Sequence, residues 1–134
     1  MTNAAETEDQ LPGNPLIMYV DDEALLREVA SIMIEDYGGR CIVAVDGHDA
    51  IEKFAEQASD IDFIYIDYSM PNMNGYETIV ELRKIRPDIP ICVVSGLDIS
   101  PEVEELKAKG EVGFLSKPFK ESDLLASFSE LTKK

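Results

Sequence analysis

Five side chains suited to metal and phosphate chemistry stand in this chain where an apolar run gives way to polar sequence. Asp21 and Asp22 follow Leu16-Ile17-Met18-Tyr19-Val20, and Asp67 closes Phe63-Ile64-Tyr65-Ile66. Ser95 follows Ile91-Cys92-Val93-Val94, and Lys117 lies just past Val112-Gly113-Phe114-Leu115. An acid at the end of a buried strand is held by a rigid element yet still reaches solvent, which is how a nucleophile or a metal ligand is presented. Singly, each residue has a plainer reading. Asp67 is a turn former, Asp22 a helix N-cap, Asp21 a solvated neighbour, Ser95 a turn or cap residue, Lys117 a surface lysine. Jointly they ask for more. Two carboxylates about 5 Å apart repel by roughly 3 kcal/mol at an effective dielectric near 20, so a proton or a cation must sit among three of them. A few hard oxygens with positions left for water and phosphate suit Mg²⁺ better than a fully caged Ca²⁺. A hydroxyl and an ammonium then supply the positioning and charge neutralisation on which phosphoryl transfer depends.

Such convergence needs elements that deliver all five residues to one edge. The runs at 16–20, 41–45, 63–66, 91–94 and 112–115 read as strands buried on both faces. Helical spacing separates them. Leu25, Leu26, Val29, Ile32 and Met33 mark a first helix, stopped by Gly38-Gly39. Ala50, Ile51, Phe54 and Ala55 mark a second, and Tyr76, Ile79, Val80 and Leu82 a third that ends before Pro87. Ser100-Pro101 opens a fourth as N-cap and first helical residue. With Val103 and Leu106 as its large anchors and Gly110 closing it, this helix is expected to dock least firmly. Leu124, Leu125, Phe128 and Leu131 mark the fifth, whose start is read as frayed or capped by Ser122. Strands alternating with helices imply right-handed crossovers and a parallel sheet covered on both faces, an α/β doubly wound domain. In such sheets ligands bind beyond the carboxyl ends of the strands, where strand order reverses. Asp46-Gly47, after the second strand, reads as turn chemistry.

Length and composition bound the rest. A chain of 134 residues that is 45% hydrophobic suits one domain with a single core. Residues 1–14, polar and broken by Pro12 and Gly13, read as a disordered leader before a domain at 15–132. A net charge of −15 argues against nucleic acid and fits a protein that binds cations or meets cationic surfaces. There is no membrane-length apolar run and no signal peptide, and the expected location is cytoplasmic. Cys41 and Cys92 sit within apolar runs and read as buried thiols. His48 reads as a surface residue.

Four segments, in their order and spacing, carry a resemblance: Val20-Asp21-Asp22-Glu23, the stretch from Ile66 to Gly75, Val94-Ser95-Gly96, and Phe114 to Phe119. The chain resembles the receiver domain of two-component response regulators, of the single-domain type found in chemotaxis regulators. The resemblance implies a flavodoxin-like (βα)5 sheet of strand order 2-1-3-4-5. It implies that Asp67 accepts a phosphoryl group from a histidine kinase or a histidine phosphotransfer protein. Mg²⁺ (or Mn²⁺) would be bound by Asp21, Asp22, Asp67 and the backbone carbonyl of Ser69. Ser95 would hydrogen-bond the phosphoryl oxygens and Lys117 would pair with them. Phe114 would be the switch aromatic, turning inward as Ser95 moves, and the Lys117-Pro118 bond would be cis. The switched surface would be the fourth helix, fifth strand and fifth helix, docking on a target protein as a monomer or a phosphorylation-linked dimer.

Rivals share the topology. A nucleotide-binding protein needs N–H donors after strand one, where this chain places three acids. An aspartyl phosphatase of the haloacid dehalogenase type needs a second Asp where Ser69 stands. Two further alternatives are a phosphorylation-independent interaction module with a receiver-like fold and a receiver fragment of a larger regulator. The sequence stops shortly after the last helix, so no output domain is expected within it.

Overall fold

Each apolar run becomes a parallel strand because the helix-forming sequence behind it must cross back over the sheet before the next run begins. In the computed structural model, which describes residues 10–96 and 99–132, the strands are β1 (Leu16–Val20), β2 (Arg40–Ala44), β3 (Phe63–Asp67), β4 (Ile91–Ser95) and β5 (Gly113–Ser116). The helices are α1 (Ala24–Asp36), α2 (Gly47–Gln57), α3 (Gly75–Ile85), α4 (Pro101–Ala108) and α5 (Glu121–Thr132). All strand pairs are parallel, in the order β2-β1-β3-β4-β5. This is the doubly wound (βα)5 sheet that was expected.

Alternate residues of the central strands serve two cores. Met18, Val20, Ile64, Ile66 and Val93 face Phe54, Ile79, Leu82 and Val103. On the other side Ile17, Tyr19, Phe63, Tyr65 and Val94 meet Ala30 and Ile34 of α1 and Leu124 and Phe128 of α5. Each large apolar side chain so buried contributes about 1.5–3 kcal/mol.

The first helix corrects the sequence reading. Its buried residues are Ala30 and Ile34, while Leu25, Val29 and Ile32 are 71%, 38% and 52% exposed. Two apolar sets share the helical spacing, and only one faces the sheet. Gly38 follows the helix at φ +93, a conformation that disfavours any side chain. Strands β2 and β5 are displaced by one residue from the expected runs, β2 to Arg40–Ala44, short of exposed Val45, and β5 to Gly113–Ser116, while β3 and β4 each extend one residue further, to Asp67 and Ser95. Ser100 caps α4, accepting from the Val103 N–H at 3.3 Å, and Pro101 is its first residue. Asp123, rather than Ser122, secures the start of α5 by accepting from the Lys120 N–H at 2.9 Å. The Lys117-Pro118 bond is cis.

Residues 1–9 of the expected leader lie outside the described residues. Beyond them Leu11 is buried, and its N–H donates to the Tyr37 carbonyl at 2.7 Å. The Pro15 carbonyl accepts from the Arg40 N–H at 2.8 Å.

Candidate functional site

The register between β1 and β3 pairs Val20 with Ile66, so the next residues, Asp21 and Asp67, stand side by side at the carboxyl edge of the sheet. Strand order reverses there. Both carboxylates are buried, and Asp22 beside them is exposed. One oxygen from each of Asp21, Asp22 and Asp67 lies within 4.8 Å of the others. Lys117 arrives from the end of β5, its N–H held by the Ser95 carbonyl at 3.0 Å. Its Nζ donates to Asp67 Oδ1 at 2.9 Å and Asp21 Oδ2 at 3.2 Å, with Glu23 Oε1 at 4.0 Å.

The loop after Asp67 is fixed at both ends. The Tyr68 N–H donates to the Val94 carbonyl at 2.9 Å. At the far end the Asn74 side chain accepts from the Glu77 N–H and the Glu77 side chain from the Asn74 N–H, a reciprocal cap for α3. Gly75 is required by close approach, because a Cβ there would stand 2.9 Å from the Tyr68 Cα. Ser69 lies exposed in this loop.

Burial pushes the Asp67 carboxyl up to about 6, and the charges of Asp21 and Asp22 add to it while Lys117 opposes. Burial works against the Lys117 charge, but Asp67 and Asp21 outweigh it and leave the lysine above its ordinary range. The donor set fits a small divalent cation. It offers three hard oxygens whose mutual repulsion is sharpened by burial, with one ammonium already serving two of them.

Ser95 is buried at the end of β4, next to β5. Phe114 is half-buried in β5, and Lys107 Nζ sits 4.7 Å over its ring centroid. Between them runs an open groove of about 470 Å³, lined by Ser95, Ile99, Lys107, Phe114 and Lys117 among others. The structure thus joins Asp21, Asp22, Asp67 and Lys117 directly and sets Ser95 and Phe114 along one groove. Asp22 is not the cap of α1. Glu23 holds the N-cap position, and its N–H donates to Asp21 Oδ1 at 2.9 Å. Asp46 caps α2 by accepting from the Asp49 N–H at 2.8 Å, and His48 is exposed. Two neighbours escaped the sequence reading, Arg27, whose Nη1 donates to the Asp21 carbonyl at 2.8 Å, and buried Tyr19, while Glu23 was read as part of the motif but given no role. Tyr19 is two residues before Asp21, on the same strand face, and that spacing is the signal that could have found it.

The family model of the response regulator receiver domain matches residues 17–129. The chain belongs to this family. The receiver is 32% identical over 118 residues to chemotaxis protein CheY of Thermotoga maritima, covering 87% of this chain and 97% of that protein. It is 31% identical over 129 residues to sensor kinase CckA of Brucella abortus, covering 96% of this chain but 14% of the kinase. Chemotaxis protein CheY4 of Vibrio cholerae superposes with a TM-score of 0.76 at 31% identity, over 87% of this chain and 98% of that structure. The receiver signals by aspartyl phosphorylation, a modification it helps to catalyse on itself and to reverse. Its three aspartates can hold a divalent cation. None of the described helices is long and apolar enough to cross a membrane.

Proposed function

We propose that Asp67 is the phosphoacceptor of this receiver and that a phosphohistidine on a kinase or a phosphotransfer protein is its donor. A carboxylate oxygen of Asp67 attacks phosphorus, the P–N bond breaks, and its electron pair stays on the donor imidazole. The product is an acyl phosphate, and attack of water on phosphorus returns the carboxylate and inorganic phosphate. The observation that carries the reading is the Lys117 ammonium shared between Asp67 and Asp21, already beside the oxygen where a dianion would form. Asp21, Asp22, Asp67 and the Ser69 carbonyl would hold Mg²⁺, with Mn²⁺ as a substitute. When bound, the cation offsets the charge of the carboxylates and of the incoming phosphoryl oxygens.

Ser95 then donates to a phosphoryl oxygen, and the groove beside it receives the Phe114 ring, so the α4, β5 and α5 surface repacks for a target protein. The exposed Leu25, Val29 and Ile32 on α1 begin three residues past Asp22, a position that suits a donor helix landing beside the crevice. A sensor kinase among the relatives supports a histidine kinase as partner. The receiver unit is taken as residues 15–132.

Intact mass after incubation with Mg²⁺ and acetyl phosphate tests the chemistry. One phosphoryl adduct is expected, absent in Asp67→Asn and without the metal. An adduct that persists in Asp67→Asn would remove Asp67 from its role.

A further inference from the structure

Two tyrosines lie one layer beneath the aspartates. Tyr19 precedes Asp21 by two residues on β1 and Tyr65 precedes Asp67 by two on β3, so each shares a sheet face with its acid. The register sets Tyr19 against Tyr65, with ring centroids 6.1 Å apart. Both side chains are 0% exposed, but their hydroxyls differ. That of Tyr65 is satisfied, with the Leu124 carbonyl and Ser127 Oγ each at 2.9 Å. That of Tyr19 makes no hydrogen bond, and among the described residues it shares that state with Arg83 Nε alone of the buried side-chain polar atoms. Asp21 acts on the phenol both by its charge and as an adjacent acceptor, and Asp67 adds by charge, yet no bond of proper length and angle joins the hydroxyl to the Asp21 carboxylate.

A buried hydroxyl without a partner is destabilising, and an apolar ring would fill the same space without that cost. What Tyr19 faces explains its use. Asp21 is held on two sides: Oδ1 accepts from the Glu23 N–H, and Oδ2 accepts from Lys117 at 3.2 Å. The second support is shared, and the lysine sits closer to Asp67, at 2.9 Å. A dianion on Asp67 offers Lys117 stronger, charge-assisted bonds than Asp21 does. Asp21 Oδ2 then has no hydrogen-bond donor beside the cation that the proposed function places on this carboxylate.

We propose that Tyr19 is a positioning residue of the phosphorylation site, its hydroxyl donating to the Asp21 carboxylate once Lys117 leaves it for the phosphoryl group. This deepens the function proposed above and rests on it. The hydroxyl stands beside Asp21 without a well-formed bond in the free protein and completes that bond in the phosphorylated one. Part of the phosphorylated state's stability therefore comes from a group that the free state carries at a cost.

Tyr19→Phe separates this from a packing role. The probe is beryllofluoride with excess Mg²⁺, a mimic of the phosphoryl group, with affinity followed by amide-shift titration and stability by thermal unfolding. The free Tyr19→Phe protein is expected to unfold at the wild-type temperature or above it, while its beryllofluoride affinity falls about ten-fold. Tyr65→Phe is the contrast: it should lower the unfolding temperature and leave the affinity within two-fold of wild type, by the same hydrogen-bond argument. Unchanged beryllofluoride affinity in Tyr19→Phe overturns the proposal while leaving the site intact. So does a free variant that is destabilised and binds the probe normally. If the wild-type protein binds no beryllofluoride, the proposed function falls, and this inference falls with it.

Discussion

At Asp67, burial and neighbouring acids favour the neutral carboxyl, while Lys117 favours the charged one; the balance lies near a pKa of about 6. The folded state therefore binds this proton more tightly than the unfolded state, and the stability so contributed is present at pH 4 and lost as the pH rises through about 6. A rise of about two units corresponds to about 3 kcal/mol. Asp67→Asn should thus be more stable than wild type at pH 7.5, by at most about that amount, and show no gain at pH 4; paired melting curves check it. The acids and the lysine were legible in the sequence because each ends an apolar run, and a charge in that position is conspicuous. The role of Tyr19 was not. A tyrosine inside Leu16-Ile17-Met18-Tyr19-Val20 reads as core; its spacing from Asp21 puts it on the right face, and the surroundings of its hydroxyl then set it apart from a packing residue.

At the scale of elements, the switch proposed above runs through α4 and β5. Lys107 on α4 covers the Phe114 ring on β5, and α4 itself is fastened by one buried side chain, Val103. A cation over an aromatic face at an exposed site contributes about 0.5–1 kcal/mol, and here it favours the half-buried ring position beside Lys107. Lys107→Gln should therefore raise beryllofluoride affinity about two- to five-fold in the presence of Mg²⁺, read by titration. An unchanged or weaker affinity would separate Phe114 from the switch. The strands, and the weak anchoring of α4, were legible from runs and spacing. The buried face of α1 was not, because Leu25, Val29 and Ile32 follow a helical period as well as Ala30 and Ile34 do. Placing Leu25→Lys and Ile32→Lys on α1 should leave the melting temperature within 2–3 °C of wild type, the scale of surface substitutions of about 0.5 kcal/mol. The same pair should slow transfer from a kinase without slowing reaction with acetyl phosphate, as measured by the rate of adduct formation.

Over the whole molecule, charge opposes compaction. With a net charge of −15, raising NaCl should raise the melting temperature by screening self-repulsion. Mg²⁺ at equal ionic strength should raise it further in wild type but not in Asp21→Asn, since only specific binding depends on the crevice. The α/β class followed from the strand and helix rhythm alone. The order β2-β1-β3-β4-β5 did not, because the rhythm is the same for any right-handed winding, and it came from the family resemblance. Nor did composition reveal Leu11, a single apolar residue among polar ones that packs near Tyr37 at the amino edge of the sheet, away from the site. The tyrosine layer has a practical consequence. The chain contains no tryptophan, so tyrosine dominates its near-ultraviolet absorption and emission, and two of its five tyrosines lie two residues before Asp21 and Asp67 on the strands that carry them. The molecule thus carries an optical reporter beside the aspartates, and phosphorylation is expected to change its tyrosine emission without any added label.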